Sequence, residues 1–573
     1  MQKLCSSISF LIILSFCFSS SASAWFQNSG PSSPEVLVDG IEISSAVTSI
    51  PDGTVRISFN KADSTLYLLT QNGGLYRVDL SIGFTTKLQD DDDHELEDTQ
   101  GLDISTDGTF YIVGNLRNNA NSTNVAVVKR GTKDGVNWIW ETVAETEPYP
   151  LSNTAFDHIA NGIVVSPDDS TLYVNSGSRT DHGEIHDVNG QYPNLREAPL
   201  TAKILRIPAD TTNALLENDL DMLKSKGFVF AEGTRNSFSL AFDGEGNLFG
   251  TENSGDRDDS EELNWLREGH HYGFPWVMGG NDTPMQYEGF DPENDPFIPQ
   301  NSTAANLGTF YNDPNYPDRP AGVTFTDAVT NIGPDADTYR DAEDGQIKDA
   351  SDEGTTITTF SSHLSPLGLV FDVESNLGGN YTGDGFVLGF SGGTPGDAFL
   401  LTRMDYHGED LIHMDFTKTE DNYQISATSL VRGFLNPIDA EIVGNTVYLV
   451  EHKNNSWLNT NNTVQMYAVT LPAAGTSTEE RGDLASQFKL YQNYPNPFNP
   501  TTQIQFVLPA AGFVELEVYN AIGQKVTSLV NRQMTAQQHE VTFNAANMNS
   551  GVYLYSLKVD GERVQTRKML LMK

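Results

Sequence analysis

Gly162-Ile163-Val164-Val165-Ser166-Pro167-Asp168-Asp169-Ser170-Thr171-Leu172-Tyr173-Val174 reads as two short apolar strands joined by an acidic turn. β-Branched and aromatic residues suit the strands, and Asp and Ser close turns through their own side chains. The unit recurs at Val55 to Leu69, Gly101 to Val113, Ser239 to Thr251 and Ile438 to Val450, and more loosely at Pro366 to Phe390. Six copies of one hairpin predict an all-β, six-bladed β-propeller, in which each sheet buries its faces only against its neighbours. A β-sandwich array is the competing arrangement. Assigned to residues 25–471, the propeller has about 75 residues per blade, above the usual span of about 40 to 50, so insertions decorate it. The longest, about 278–362, is rich in Asp, Pro and Gly and reads as a functional loop or a partly ordered surface segment.

Upstream, Lys3 precedes the apolar run Ile8 to Phe18, and Ala22-Ser23-Ala24 offers a small-residue cleavage site before Trp25. Residues 1–24 therefore read as a signal peptide. Both cysteines, Cys5 and Cys17, fall inside it, which leaves the rest of the chain without a disulfide, a thiolate nucleophile or a Cys-ligated metal. Downstream, residues 472–487 read as a linker. Residues 488–573 alternate in strand fashion, as in Val514-Glu515-Leu516-Glu517-Val518-Tyr519, and predict a small C-terminal Ig-like β-sandwich.

Charge divides the chain at the same place. The whole carries 34 Lys and Arg against 77 Asp and Glu, for a net charge of -43. The tail from Phe488 has eight cations and five anions, so all of the acidity belongs to the residues before it. An acid excess of this size argues against nucleic acid as a partner, because neutralising phosphates needs clustered Lys and Arg.

Four patterns carry candidate chemistry. His158, in Asp157-His158-Ile159-Ala160-Asn161-Gly162, leads into a hairpin strand, and Gly233-Thr234-Arg235-Asn236 takes the equivalent place one unit later. Two neighbouring units thus aim polar side chains at one end of a central channel. Histidine changes charge near neutral pH, and an Arg–Asn pair can polarise a carbonyl and fix a planar ligand. Their structural alternatives are a core histidine and an inter-blade salt bridge. Thr251 to Asn264, followed by Gly269 to Trp276, supplies hard oxygen ligands and free carbonyls that suit Ca²⁺, although no stretch has EF-hand spacing. Asp90 to Asp93 reads as solvated charge.

In order and spacing, His158 before Asn161-Gly162, Gly233-x-Arg235-Asn236, Thr251-Glu252-Asn253, Glu262-Leu263-Asn264 and Tyr272-Gly273-Phe274-Pro275 resemble the glucose/sorbosone dehydrogenase family. The resemblance runs from about Val55 to Leu471 and is strongest between His158 and Pro275. It implies a six-bladed propeller that uses pyrroloquinoline quinone (PQQ) and Ca²⁺ to oxidise an aldose or related alcohol or aldehyde, passing electrons to an external acceptor. It further implies His158 as general base, Arg235 as stabiliser of the charge on the quinone oxygen, Asn236 in contact with PQQ, carbonyls of Ser254 and Gly255 on Ca²⁺, and Glu261 near the substrate.

The sequence departs from that pattern at the cofactor's carboxylates. The family's glucose-oxidising branch clamps them with a Lys and two Arg, whereas Phe390 to Phe399 contains no Lys and Leu435 to Asp439 no Arg. Arg179, Arg257, Lys203 and Arg403 are the candidate substitutes. The departure leaves two further readings open: a cofactor-free propeller serving as a carbohydrate-binding or adhesive surface protein, and a metal-dependent lactonase. The tail, through Tyr491 to Thr502, Tyr519-Asn520-Ala521-Ile522-Gly523-Gln524 and Gly551-Val552-Tyr553, resembles the C-terminal sorting domain of the type IX secretion system. That resemblance implies export across both membranes of a Gram-negative cell, with residues 488–573 engaging the secretion machinery and the product secreted or attached to the cell surface.

Overall fold

The computed structural model describes residues 34–135, 137–391, 404, 408–453, 461, 463–474, 489–490, 493, 496, 498–508, 512–520, 524–534, 537–546, 548–559 and 562–573. The segment read as a signal peptide, most of the expected linker, Arg403 and residues 392–399 lie outside them.

Each hairpin read from the sequence opens one sheet. The opening strands are Thr54–Asn60, Gly101–Ile104, Ala160–Val165, Ser237–Phe242, Pro366–Phe371 and Asn436–Val443. Each pairs antiparallel with the strand that follows it, and further strands continue outward. The six opening strands touch one another in sequence order and the last packs against the first, so the sheets stand in a closed ring. Glu42–Val47, from before the first sheet, pairs with Val464–Thr470 and completes the sixth. The all-β expectation is borne out.

Turn chemistry explains why the hairpins form. In the third sheet Asp168 Oδ1 accepts from Ser166 Oγ at 2.6 Å and from the Ser170 amide at 3.1 Å, while Asp169 takes a left-handed φ of 58°. Asp107 repeats this with Ser105 and Thr109 at 2.7 and 3.0 Å, and Asp243 with the amides of Glu245 and Asn247 at 2.9 and 2.8 Å. The acidic turns are thus side-chain-closed turns.

Other acids join the sheets. Opening strands leave amides unpaired on their inner edge, and a buried amide without an acceptor is costly. Asp103 accepts from the Val165 amide at 2.7 Å, Asp439 from Ile57 at 2.9 Å, and Glu441 from Phe59 at 3.0 Å. In each case a carboxylate of one sheet serves the next.

The long insertion is folded onto the ring. It carries the short helices Thr303–Leu307 and Ala350–Glu353, and Ile298, Ala304 and Phe310 pack on Phe156. In the tail, Lys489–Leu490, Thr501–Leu508 and Gln537–Asn544 form one sheet, and Lys525–Met534, Gly512–Asn520, Gly551–Val559 and Glu562–Leu571 another. The two share an apolar cluster that includes Phe506, Leu516, Tyr555 and Met569. Among the described residues no helix is long and apolar enough to cross a membrane.

Candidate active site

His158 and Arg235 meet around the turn Gly177-Ser178. The Ser178 amide donates to Arg235 O at 2.7 Å, and the His158 amide donates to Ser178 O at 3.0 Å. A side chain at Gly177 would meet His158 Cβ at 2.5 Å and Asn236 Oδ1 at 3.2 Å, so only glycine permits this approach. Ile159 takes a φ of 50°, an uncommon conformation for a β-branched residue, directly after His158.

The network fixes the histidine's tautomer. His158 Nδ1 lies 3.3 Å from Ser178 O, which can only accept, and 3.2 Å from Ser178 Oγ, whose proton goes to Thr180 O at 2.8 Å. Nδ1 therefore carries the hydrogen, and Nε2 keeps the lone pair. Burial, and then the neighbouring Arg235 charge, push the imidazole down to about 3, so it is neutral at physiological pH.

Arg235 is held by Asp181 O through Nε at 2.8 Å, by Asp181 Oδ1 through Nη2 at 3.0 Å, and by Asn253 O through Nη1 at 3.1 Å. Asn236 belongs to a buried amide relay. Asn175 Nδ2 donates to Asn161 Oδ1 at 2.7 Å, Asn161 Nδ2 to Asn236 Oδ1 at 2.8 Å, and Asn236 Nδ2 to Asn253 Oδ1 at 2.9 Å. The relay ends on Asn253 Nδ2, which is buried and has no partner among the described residues.

Below the relay, Glu252 and Glu262 face each other across two strands. Burial, then the opposing Glu262, push Glu252 up to about 8. Glu252 accepts from the Asn236 amide and from Ser237 Oγ. A void of about 10 Å³, room for about one water, lies between Arg235, Glu252, Glu262 and Met278. The larger cavity, about 640 Å³, lies at the other end of the ring, where Asp103, Asp439 and Glu441 line it. Those three acids already serve backbone amides.

Ser254 and Gly255 follow Asn253 in a turn packed on Asp181, whose carboxylate a Cβ on Gly255 would approach to 3.0 Å. Their carbonyls accept no hydrogen bond from a described residue. Glu261 is 2% exposed, its Oε2 has no partner among the described residues, and burial pushes it up to about 8. Free carbonyls beside orphaned Asn253 Nδ2 and Glu261 Oε2 fit a ligand that brings a cation together with hydrogen-bonding groups.

His158, Arg235 and Asn236 are thus brought together, with Ser254 following Asn253 in the neighbouring turn, whereas the guanidinium groups of Arg179 and Arg257 are taken up by other groups of the chain. Arg179 is 1% exposed, and its terminal nitrogens donate to four carbonyls, those of Leu151, His186, Leu195 and Arg196, at 2.7 to 3.0 Å. Arg257 pairs with Asp259 and with Asp295, the latter at 2.9 Å, over the Phe297 ring. Lys203 donates to Thr201 O at 2.9 Å. Sequence reasoning missed Asp181-His182-Gly183-Glu184, whose alternation of acid and histidine around a glycine was a usable signal. Asp181 holds Arg235 and also His182 Nδ1 at 2.8 Å, and His182 stacks on Phe310 of the insertion at 4.2 Å.

The described residues thus form an all-β closed ring of sheets with a polar histidine-and-arginine mouth at one end. Residues 51–318 match the family model described as Glucose / Sorbosone dehydrogenase, and residues 492–572 that described as Secretion system C-terminal sorting domain. Residues 51–318 are thus similar to a dehydrogenase family, and residues 492–572 to a sorting domain that points to export. Among solved structures it is similar to a Thermus thermophilus putative oxidoreductase (glucose dehydrogenase), at 15% identity and a TM-score of 0.45, over 75% of this chain and 100% of that one. A PQQ-bound aldose sugar dehydrogenase of Streptomyces coelicolor matches at 16% identity and a TM-score of 0.43, over 76% and 100%. The apo soluble aldose sugar dehydrogenase of Escherichia coli matches at 14% identity and 0.45, over 75% and 99%. No curated protein matches the chain.

Proposed function

We propose that the chain is an exported sugar dehydrogenase on a six-bladed β-propeller, oxidising an aldose or a related alcohol or aldehyde with PQQ and Ca²⁺. The observation that carries this reading is the convergence of His158, Arg235 and Asn236 beside the carbonyls of Ser254 and Gly255, which accept no hydrogen bond from a described residue. Those carbonyls would hold Ca²⁺, and Arg235 and Asn236 would hold the quinone. When bound, the quinone supplies the acceptor for a hydride from the substrate carbon.

The chain's own residues do the rest. His158 Nε2 takes the substrate hydroxyl proton, and Nδ1–H on Ser178 keeps the ring in the tautomer that can accept it. An imidazole held near 3 is a weak base, but part of that depression is the Arg235 charge. An anionic ligand on Arg235 offsets this charge and raises the basicity of His158, so binding itself would ready the base. Arg235 is pre-set by Asp181 and Asn253, and needs no reorganisation to meet negative charge. The tail, by its resemblance to type IX sorting domains, would deliver the protein to the surface of a Gram-negative cell or release it.

The committed guanidinium groups of Arg179 and Arg257 favour one alternative, a ring that keeps the scaffold but binds carbohydrate without the cofactor. Titrating the purified protein with PQQ and Ca²⁺, followed by a dye-linked screen of aldoses, separates the two. A saturable spectral change with oxidation of at least one sugar is expected. A flat titration and no oxidation would sink the dehydrogenase reading.

A further inference from the structure

A second histidine, His182, stands behind the mouth and takes no part in the mechanism above. It is 1% exposed, and Gly183 after it has a φ of 86°, where a Cβ would meet Pro275 at 2.6 Å. Only glycine lets the chain turn so close to the ring of sheets. His182 is thereby wedged between the insertion and the residue that holds Arg235. Its Nε2 lies 3.2 Å from Thr309 O, and its ring lies flat on Phe310 at 4.2 Å and 6°. On the other side, Nδ1 lies 2.8 Å from Asp181 Oδ2.

These contacts fix two hydrogens. A carbonyl can only accept, so Nε2 carries one. The Asp181 carboxylate accepts from Arg235 Nη2 at 3.0 Å and from the Asp256 amide at 3.0 and 3.2 Å, so it accepts from Nδ1 as well. The ring is therefore an imidazolium with both hydrogens engaged. Burial disfavours its charge, but Glu184, and then the bond to Asp181, outweigh burial and raise its basicity. Glu184 Oε2 lies 3.6 Å from Nδ1 and accepts from the His182 amide at 2.8 Å.

Asp181 thus stands between two cations. A carboxylate facing one guanidinium tends to turn both oxygens to it in a bidentate pair. Here His182 holds Oδ2, so the carboxylate meets Arg235 through Oδ1 alone, while the Asp181 carbonyl takes Arg235 Nε at 2.8 Å. With Nη1 on Asn253 O, the guanidinium is oriented by three bonds, and two of its five hydrogens make no bond to a described residue.

We propose that His182 is a positioning residue for Arg235: bonded to Asp181 on one side and to Thr309 and Phe310 on the other, its ring makes the insertion a support for the guanidinium. The support itself needs no cofactor, whereas its effect on turnover rests on the dehydrogenase reading.

Nuclear magnetic resonance of the full chain, isotopically labelled in histidine and arginine and free of cofactor, reads both ends of this arrangement. The signals lost in His182→Gln at neutral pH should be those of a ring with a hydrogen on each nitrogen. In the same variant the Arg235 Nε–H signal, identified by its loss in Arg235→Lys, should shift and exchange with solvent about tenfold faster or more. Phe310→Leu removes the stack and keeps both ring bonds; it should move that signal the same way by less, and it takes over if calorimetry shows His182→Gln to be misfolded. A single ring hydrogen on His182, or an Arg235 signal unmoved in the folded variant, overturns the proposal. With PQQ and Ca²⁺ present, His182→Gln should lower kcat about tenfold and leave the KM for the aldose within about twofold. An unchanged kcat in that variant of an oxidising parent also overturns it. An Arg235 signal that depends on His182, in a parent that oxidises no sugar with PQQ, would sink the dehydrogenase reading and leave this one standing. Oxidation by the parent with an Arg235 signal indifferent to His182 would do the reverse.

Discussion

The two ends of the ring use buried acids in opposite ways. At the far end, Asp103, Asp439 and Glu441 each accept a backbone amide from the neighbouring sheet, and Arg56 joins Asp439 at 3.5 Å while donating to Gln100 O and Phe238 O. At the His158 end, Glu261 and Asn253 keep polar atoms without partners among the described residues. A buried carboxylate alone therefore says nothing about function. What distinguishes the ends is whether its hydrogen-bonding capacity is already met, since an unmet buried polar group is costly and calls for an explanation.

The sharpest way to break this comparison is to exchange effects on activity and stability between the ends. His158→Ala should lower kcat/KM by about 10² to 10⁴, the usual contribution of a general base, with little change in melting temperature. Steady-state dye-linked assays beside calorimetry read both, and retained activity would falsify the assignment of the base. Asp439→Ala should behave oppositely. It leaves Arg56 buried without its ion pair, at a cost of about 3 kcal/mol, which denaturant titration would register while activity per folded molecule stays near that of the parent.

A smaller effect concerns pH. Burial pushes Asp103 and Asp439 up to about 6 and Glu441 up to about 8. Folded values above the unfolded ones mean that the native state binds more protons, so these groups make stability fall as pH rises from about 4 towards 8. Melting temperatures at pH 5.5 and 8.5 should show the fall, and Glu441→Gln should flatten its upper part. Glu252 and Glu261, at about 8, keep a share of the slope in that variant. An unaltered slope would remove Glu441 from the account.

Much of the fold was legible because its signals are local. The Asp-closed turns lie within four or five residues of the groups they bind, and strand alternation needs only a window of six or so. Part of the mouth was legible for the same reason: His158 and Arg235 each directly precede an opening strand. The occupation of Arg179 was not legible, since its four carbonyl acceptors lie 7 to 28 residues away. Nor was the pairing of Asp258 with Arg340 and His363, which lie 82 and 105 residues along the chain. Composition gave the insertion no pattern that would place Arg340, and only the folded chain brings it to the mouth.

By itself, the sequence determined the strand units, the charge boundary before the tail, and the residue types on offer at the mouth. These follow from short-range sterics, turn hydrogen bonds and composition. Only the tertiary structure decided which polar groups are satisfied and which are left open. Satisfaction depends on partners from other sheets and from the insertion, and on burial that removes water as the alternative partner. The same chemistry, carboxylate or guanidinium, thereby joins sheets at one place and waits for a ligand at another.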